Sequence, residues 1–202
     1  MIRVRTAVFI SSTALLMVGC GNTTPETGPT TTAMPATSSK PSLAVSVPPA
    51  PTQHNNGRQA VTFDPCLEID DDVVERSGFD PKTRERSDFI FDTYSFIGCS
   101  FGHKEQIRAQ TLTVRTLTVS ATNVSLTEFR NREGKNAAET KVGGRDAIKY
   151  DTSSAGSCNV AMASSSGVVN VRTSTNAAFT AERPCDRINE VAAIVESALG
   201  DR

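Results

Sequence analysis

An α+β fold, with helices packed on an antiparallel sheet, is predicted for the stretch from Val61 to Arg202, and three observations predict it. Asp64-Pro65 starts a helix near the front, a run of alternating segments fills the middle, and an apolar stripe at helical spacing closes the chain. Helices at the ends with several strands between them argue for helices laid on an antiparallel sheet. At roughly 140 residues the stretch has the usual size of one domain.

Each element has its own signal. Asp64 suits an N-cap and Pro65 the first helical position. Helical sequence then runs to Arg76, with room for a break near Asp70, and Gly78 stops it. Phe89-Ile90-Phe91 and Tyr94 to Cys99 read as β. In Thr111 to Ser120, Leu112 and Val114 share one parity while Leu117 and Val119 share the other. A bulge near Arg115-Thr116 would turn both pairs to the core. Ser125-Leu126-Thr127-Glu128 is a capping box, predicting a short helix to about Arg132. Gly143-Gly144 makes a turn into a strand from Arg145 to Tyr150. Cys158 to Ala163 and Val168 to Thr173 alternate about the turn Ser164-Ser165-Ser166-Gly167, a hairpin. From Pro184 on, Ile188, Val191, Ala192, Val195, Ala198 and Leu199 form one helical stripe.

The first 60 residues are of another kind. Residues 1–19 read as a signal peptide: Arg3 and Arg5, an apolar run from Ala7 to Val18, then Gly19. The apolar run is too short to span a bilayer as a helix, which takes about 20 residues. Residues 20–60 read as a disordered tether. Seven of the ten prolines fall there among Thr and Ser, and apolar residues occur singly, so the segment cannot offset its ordering entropy. Its role on this reading is that of a spacer.

Leu16-Met17-Val18-Gly19-Cys20 resembles the lipobox of bacterial lipoproteins, although Met17 departs from the usual small or β-branched residue. The resemblance implies that Cys20 takes a diacylglyceryl group, becomes the new N-terminus, and anchors the chain on the extracytoplasmic face of the plasma membrane. Phe63-Asp64-Pro65-Cys66-Leu67 resembles the opening of an actinobacterial lipoprotein family of unknown function. Cys99, Cys158 and Cys185 stand where that family places its later cysteines, while Phe101 replaces a frequent Trp. The layout is also similar to mycobacterial lipoproteins with a PsbP-like fold. Neither likeness supplies catalytic residues.

Four cysteines besides Cys20 in an exported domain read as two disulfides. Of three possible pairings, Cys66–Cys99 and Cys158–Cys185 are favoured, because each closes a loop of about 30 residues between adjacent elements, contributing roughly 3–4 kcal/mol apiece. A metal site is the rival, but there is no C-x2-C spacing and only two histidines, His54 and His103. No metal or cofactor is expected. With 21 basic and 22 acidic residues there is no basic excess to attract nucleic acid.

Other candidates are weak. Asp70-Asp71-Asp72 lacks the spacing of a calcium loop and suits a helix start. His103, in a Gly102-His103-Lys104-Glu105 segment that reads as a turn, is more plausibly a surface residue than a general base. No G-x-S-x-G elbow surrounds any serine, and Gly143-Gly144-Arg145-Asp146 lacks the context of a phosphate loop. The expectation is therefore a membrane-anchored domain that is not an enzyme and binds an envelope protein or wall polymer. The alternative is a carrier or sensor of a small apolar ligand such as a lipid, which would need an apolar chamber between sheet and helices.

Overall fold

Asp64 begins the first element as the sequence predicts: its side chain accepts a hydrogen bond from the Cys66 backbone N–H, and Pro65 opens helix α1, Pro65–Glu68. The chain breaks at Ile69-Asp70 and resumes as α2, Asp71–Arg76, ahead of Gly78 at φ +86°. These coordinates come from a computed structural model that describes residues 43–152 and 156–200. Cys20 and the signal-like segment lie outside the described residues.

Eight strands follow: β1 Asp80–Arg86, β2 Phe89–Ile90, β3 Ser95–Ile107, β4 Gln110–Thr122, β5 Ala137–Val142, β6 Arg145–Thr152, β7 Ser157–Ser164 and β8 Gly167–Thr175. Helix α3, Leu126–Glu133, sits between β4 and β5, and α4, Ile188–Ser197, ends the fold. The strands form one antiparallel sheet in the order β1-β3-β4-β8-β7-β6-β5, with β2 paired to the outer end of β3. The predicted α+β class is the class observed.

The register divides the sheet into two unlike faces. Ile97, Cys99 and Phe101 of β3, Leu117, Val119 and Ala121 of β4, Val169 and Val171 of β8, and Cys158, Val160 and Met162 of β7 point to the first face and are almost wholly buried. Helices α1, α2 and α4 cover them. Ile188, Val191, Ala192 and Val195 of α4, with Leu199 in the turn that follows it, make the apolar stripe read from the sequence. Both disulfides form with the favoured pairing and staple this layer. Cys66–Cys99 ties α1 to β3, and Cys158–Cys185 ties β7 to the segment entering α4. Arg84 adds a polar staple. Its guanidinium, fully buried, donates to the Cys66 and Ile69 carbonyls and pairs with Asp71 at 2.6 Å, over the Phe101 ring.

The opposite face carries Phe96 and Ser100 of β3, Thr118 and Ser120 of β4, Arg172 and Asn170 of β8, Asn159 of β7 and Tyr150 of β6. Helix α3 covers one end of it, where Leu126 and Phe129 pack on Ile148, Tyr150, Ala161 and Val168. Its capping box is complete, with Ser125 and Glu128 bonded in both directions.

Several expectations need correction. The bulge in β4 falls at Val114, a residue before the predicted site, since His103 pairs with Arg115 and Lys104 with Thr113. It brings Val114 and Leu117 both to burial, which is why the bulge was needed. Gly102 to Glu105 is not a turn but part of β3. Strands β1 and β5 carry no hydrophobic alternation, so the sequence hides them. The first is an edge strand whose inward residue is the ion-paired Arg84, and the second an exposed edge with the polar run Glu139-Thr140-Lys141. Helix α4 starts at Ile188, four residues later than Pro184, because the chain first makes a turn in which the Asp186 N–H donates to the Arg183 carbonyl, pinned by the Cys185 disulfide and the Thr173 hydrogen bond to the Pro184 carbonyl.

The packed region also begins ahead of residue 61. Residues 43–60 have no helix or strand, yet Val47 and Ala50 pack on the core and Asn55 is buried, accepting from the Ser95 hydroxyl. Arg58 clasps Glu128 and also donates to the Asn123 carbonyl. The Pro-rich composition describes the chain's conformation there, but single apolar side chains suffice to lay it along the domain.

Candidate functional site

Where α3 leaves the second face uncovered, a groove of about 380 Å³ opens between the helix and the β2–β3 hairpin. Its floor is set by strand register. Thr118, Arg172, Asn159 and Tyr150 stand directly opposite one another on β4, β8, β7 and β6, one cross-strand row. At ~4.8 Å between strands the row is about 14 Å long. Beside it lie Ser120 and Asn170, again direct partners. The floor is therefore made of hydroxyls, side-chain amides, a phenol and one guanidinium.

These groups are only loosely bonded among themselves. The Tyr150 hydroxyl donates to Asn170 Oδ1 at 3.3 Å, and Asn170 Nδ2 donates to Asn159 Oδ1 at 3.4 Å. Both bonds are long for their kind, so each group keeps capacity for a further partner. Burial, with Glu133 next in weight, pushes the Tyr150 phenol up to about 12, so it stays protonated and a donor at neutral pH. Ser87 reaches the groove from the loop after β1, over Gly98. A side chain at Gly98 would meet the Ser87 carbonyl at 2.5 Å, so only glycine allows this approach. The Ser87 hydroxyl is buried and has no hydrogen-bond partner among the described residues.

The wall is aromatic. Both tyrosines and four of the nine phenylalanines of the chain line this one groove. They touch in sequence: Phe91 and Tyr94 have ring centroids 4.7 Å apart, Tyr94 and Phe96 5.9 Å, Phe96 and Phe129 6.4 Å, Phe129 and Tyr150 6.4 Å. Phe89, opposite Phe96, and Phe91 stand at the lip, 62% and 45% exposed.

Charge in the groove is sparse and positive on balance. Glu133, the one carboxylate among the lining residues, is held by Arg132 at 2.9 Å, and Arg132 also lies over the Phe129 ring at 4.4 Å. Arg172 is exposed and has no ion pair among the described residues. No acid–base pair faces a common point here.

The groups singled out in the sequence go elsewhere. Cys66, Cys99, Cys158 and Cys185 are spent in disulfides on the first face. Asp70 caps α2 by position only, Asp71 pairs with Arg84 and Asp72 with Arg76. His103 lies on β3 with Glu105 at 3.4 Å. Gly143 and Gly144, at φ +56° and +90°, form the plain turn between β5 and β6. Among the described residues no three His, Cys, Asp or Glu side chains gather to hold a metal, and no helix is long and apolar enough to cross a membrane. The groove itself escaped the sequence reading. Its one trace there is the polar parity of Thr116, Thr118, Ser120 and Thr122, a strand face that a packed helix would not want.

Neither a curated protein nor a solved structure matches the chain. A family described as a protein of unknown function, DUF3558, matches residues 15–198, nearly the whole length, and the chain belongs to that family.

Proposed function

We propose that this is a lipid-anchored extracytoplasmic binding protein, not an enzyme, whose domain holds a cell-envelope partner in the aromatic-lipped groove. The groove carries the reading. It combines exposed rings at the lip with a floor of under-used hydrogen-bonding groups, the composition of a recognition site. Glu133 is tied to Arg132 and the Tyr150 phenol keeps its proton, so the lining offers no free base.

Export and anchoring rest on the sequence. The signal-like residues 1–19 and Gly19-Cys20 support them, as does the likeness to actinobacterial lipoproteins. The family match starts at residue 15 and so takes in Leu16 to Cys20. Two disulfides agree with an oxidising compartment. The reading as a carrier of an apolar ligand is less well supported. The layer between sheet and helices, where such a chamber would lie, is filled by Phe101, Leu117, Met162, Ile188 and Leu199, each less than 2% exposed.

The test places a photo-crosslinking residue at Phe91 or, as a control, at Lys82 on β1, in the full-length chain in its cells. An envelope adduct should form from position 91 and not from 82, in the membrane fraction, and Cys20→Ala should release the protein from that fraction. Equal adducts from both positions would remove the groove as the site, and unchanged lipid labelling of the Cys20→Ala chain would remove the anchor.

A further inference from the structure

Building on the groove as the binding site, we infer that its occupant is an acidic polysaccharide, its sugar rings on the aromatic lip and its acid group on Arg172. Three features of the groove select this class.

The first is what the floor lacks. Strands β4, β8, β7 and β6 are each hydrogen-bonded on both sides, so their backbone groups are used up in the sheet. A peptide therefore cannot join the floor as an added strand, which would need a free edge there. Recognition on the floor falls to side chains.

The second is the pairing of rings with hydroxyls and amides. An aromatic face is electron-rich and attracts the weakly positive C–H bonds on the face of a sugar ring. Phe89 and Phe91, both exposed, offer such faces at the mouth, and Phe91 is continuous with Tyr94. Below them, Asn159 and Asn170 supply both donors and acceptors, as ring hydroxyls require. An acyl chain on this floor would strand those groups at about 1–3 kcal/mol each. The 14 Å row, estimated from ~4.8 Å strand spacing, is longer than a single sugar ring and suits a strand of them.

The third is charge. Arg132 already has Glu133 as its counter-ion, whereas Arg172, midway along the row between Thr118 and Asn159, has none among the described residues. A guanidinium fork binds a carboxylate through two parallel hydrogen bonds, so an acid on the polymer fits the one open charge.

The chain has no Trp, and both its tyrosines line the groove, so intrinsic tyrosine emission reports on this site alone. The full-length protein in detergent would be titrated with a hexuronate oligomer, a neutral hexose oligomer of equal length, and polyphosphate. The expected result is a saturable change with the hexuronate, at least about tenfold weaker binding of the neutral oligomer, and loss of that difference in Arg172→Gln. Phe91→Ala should weaken both sugars and leave polyphosphate unaffected. Polyphosphate binding as tightly as the hexuronate would reduce the effect to bare charge attraction and overturn the proposal. Equal binding of the two sugars, unchanged by Arg172→Gln, would overturn the acidic specificity. If no sugar binds while the adduct from position 91 persists, the ligand class is wrong and the groove reading stands. If the adduct is missing as well, both fall.

Discussion

The two faces of this sheet are made by the same strands, residue for residue in alternation, and they are treated in opposite ways. On the first, three helices, two disulfides and a buried Arg84–Asp71 pair seal every inward side chain of the central strands. On the second, a single eight-residue helix covers one end, and the rest is a hydroxyl and amide surface with aromatic walls. Neither disulfide touches the second face. The difference assigns stability to one side and leaves the other free to carry residues that do little for folding. A mutation should therefore report its face: large losses of stability from the first, small ones from the groove.

Phe101 gives the largest contrast. It is fully buried on the first face and lies under the Arg84 guanidinium at 4.9 Å. Phe101→Ala should cost about 3–5 kcal/mol, the usual loss for deleting a core ring and leaving its cavity. Denaturant melting of the oxidised protein would measure it. A loss below about 1 kcal/mol would mean that the helical layer is not the stabilising one and would break the division between faces.

Tyr150 stands at the boundary, its ring under α3 and its hydroxyl in the groove. Burial raises its folded pKa from about 10 to about 12, so folding favours the protonated phenol. For an acid shifted upward, the associated stability is complete below the unfolded value and is lost as pH rises toward the folded one. Stability should hold up to about pH 10 and fall by about 2 kcal/mol between there and pH 12, on the linkage of 1.36 kcal/mol per unit. Melts across that range, set against Tyr150→Phe, isolate the contribution: the substitution should remove this part of the slope. An identical slope in both proteins would show that the phenol is not sheltered by α3.

Much of the first face was legible in the sequence, because its signals are local. Asp64-Pro65, the Ser164 to Gly167 hairpin and the α4 stripe each state their structure within a few residues, as does the Ser125 capping box of α3 on the other face. The cysteine pairing followed because each bridge joins elements near in sequence. Strands β1 and β5 were hidden because an edge strand need not alternate, and β1 buries an arginine where a pattern search expects an aliphatic residue. The groove is hidden for a further reason. Thr118, Arg172, Asn159 and Tyr150 are spread over 55 residues' worth of chain and meet only through the register of four strands. Each alone is an ordinary outward-facing residue. Their row exists only once the β4 bulge, the β7–β8 turn and the β4–β8 pairing are known together, none of which fixes the others from the sequence.

The smallest expected effect is the most telling. Phe91 is 45% exposed, and its principal ring contact is with Tyr94, which keeps its contact with Phe96. Phe91→Ala removes apolar surface already largely in water, so stability should change by less than about 0.5 kcal/mol, as for most surface substitutions. Solubility should rise if anything, since an exposed ring promotes association. Read beside Phe101→Ala, the pair compares one residue type on opposite sides of one sheet. A loss above about 1 kcal/mol at position 91 would mean that the aromatic arc is structural, bracing the β2–β3 hairpin against α3. Near-neutral stability together with a lost envelope adduct would leave one account of why a chain with so few aromatic residues keeps its most exposed rings at the mouth of this groove: they are there for what they touch outside the fold.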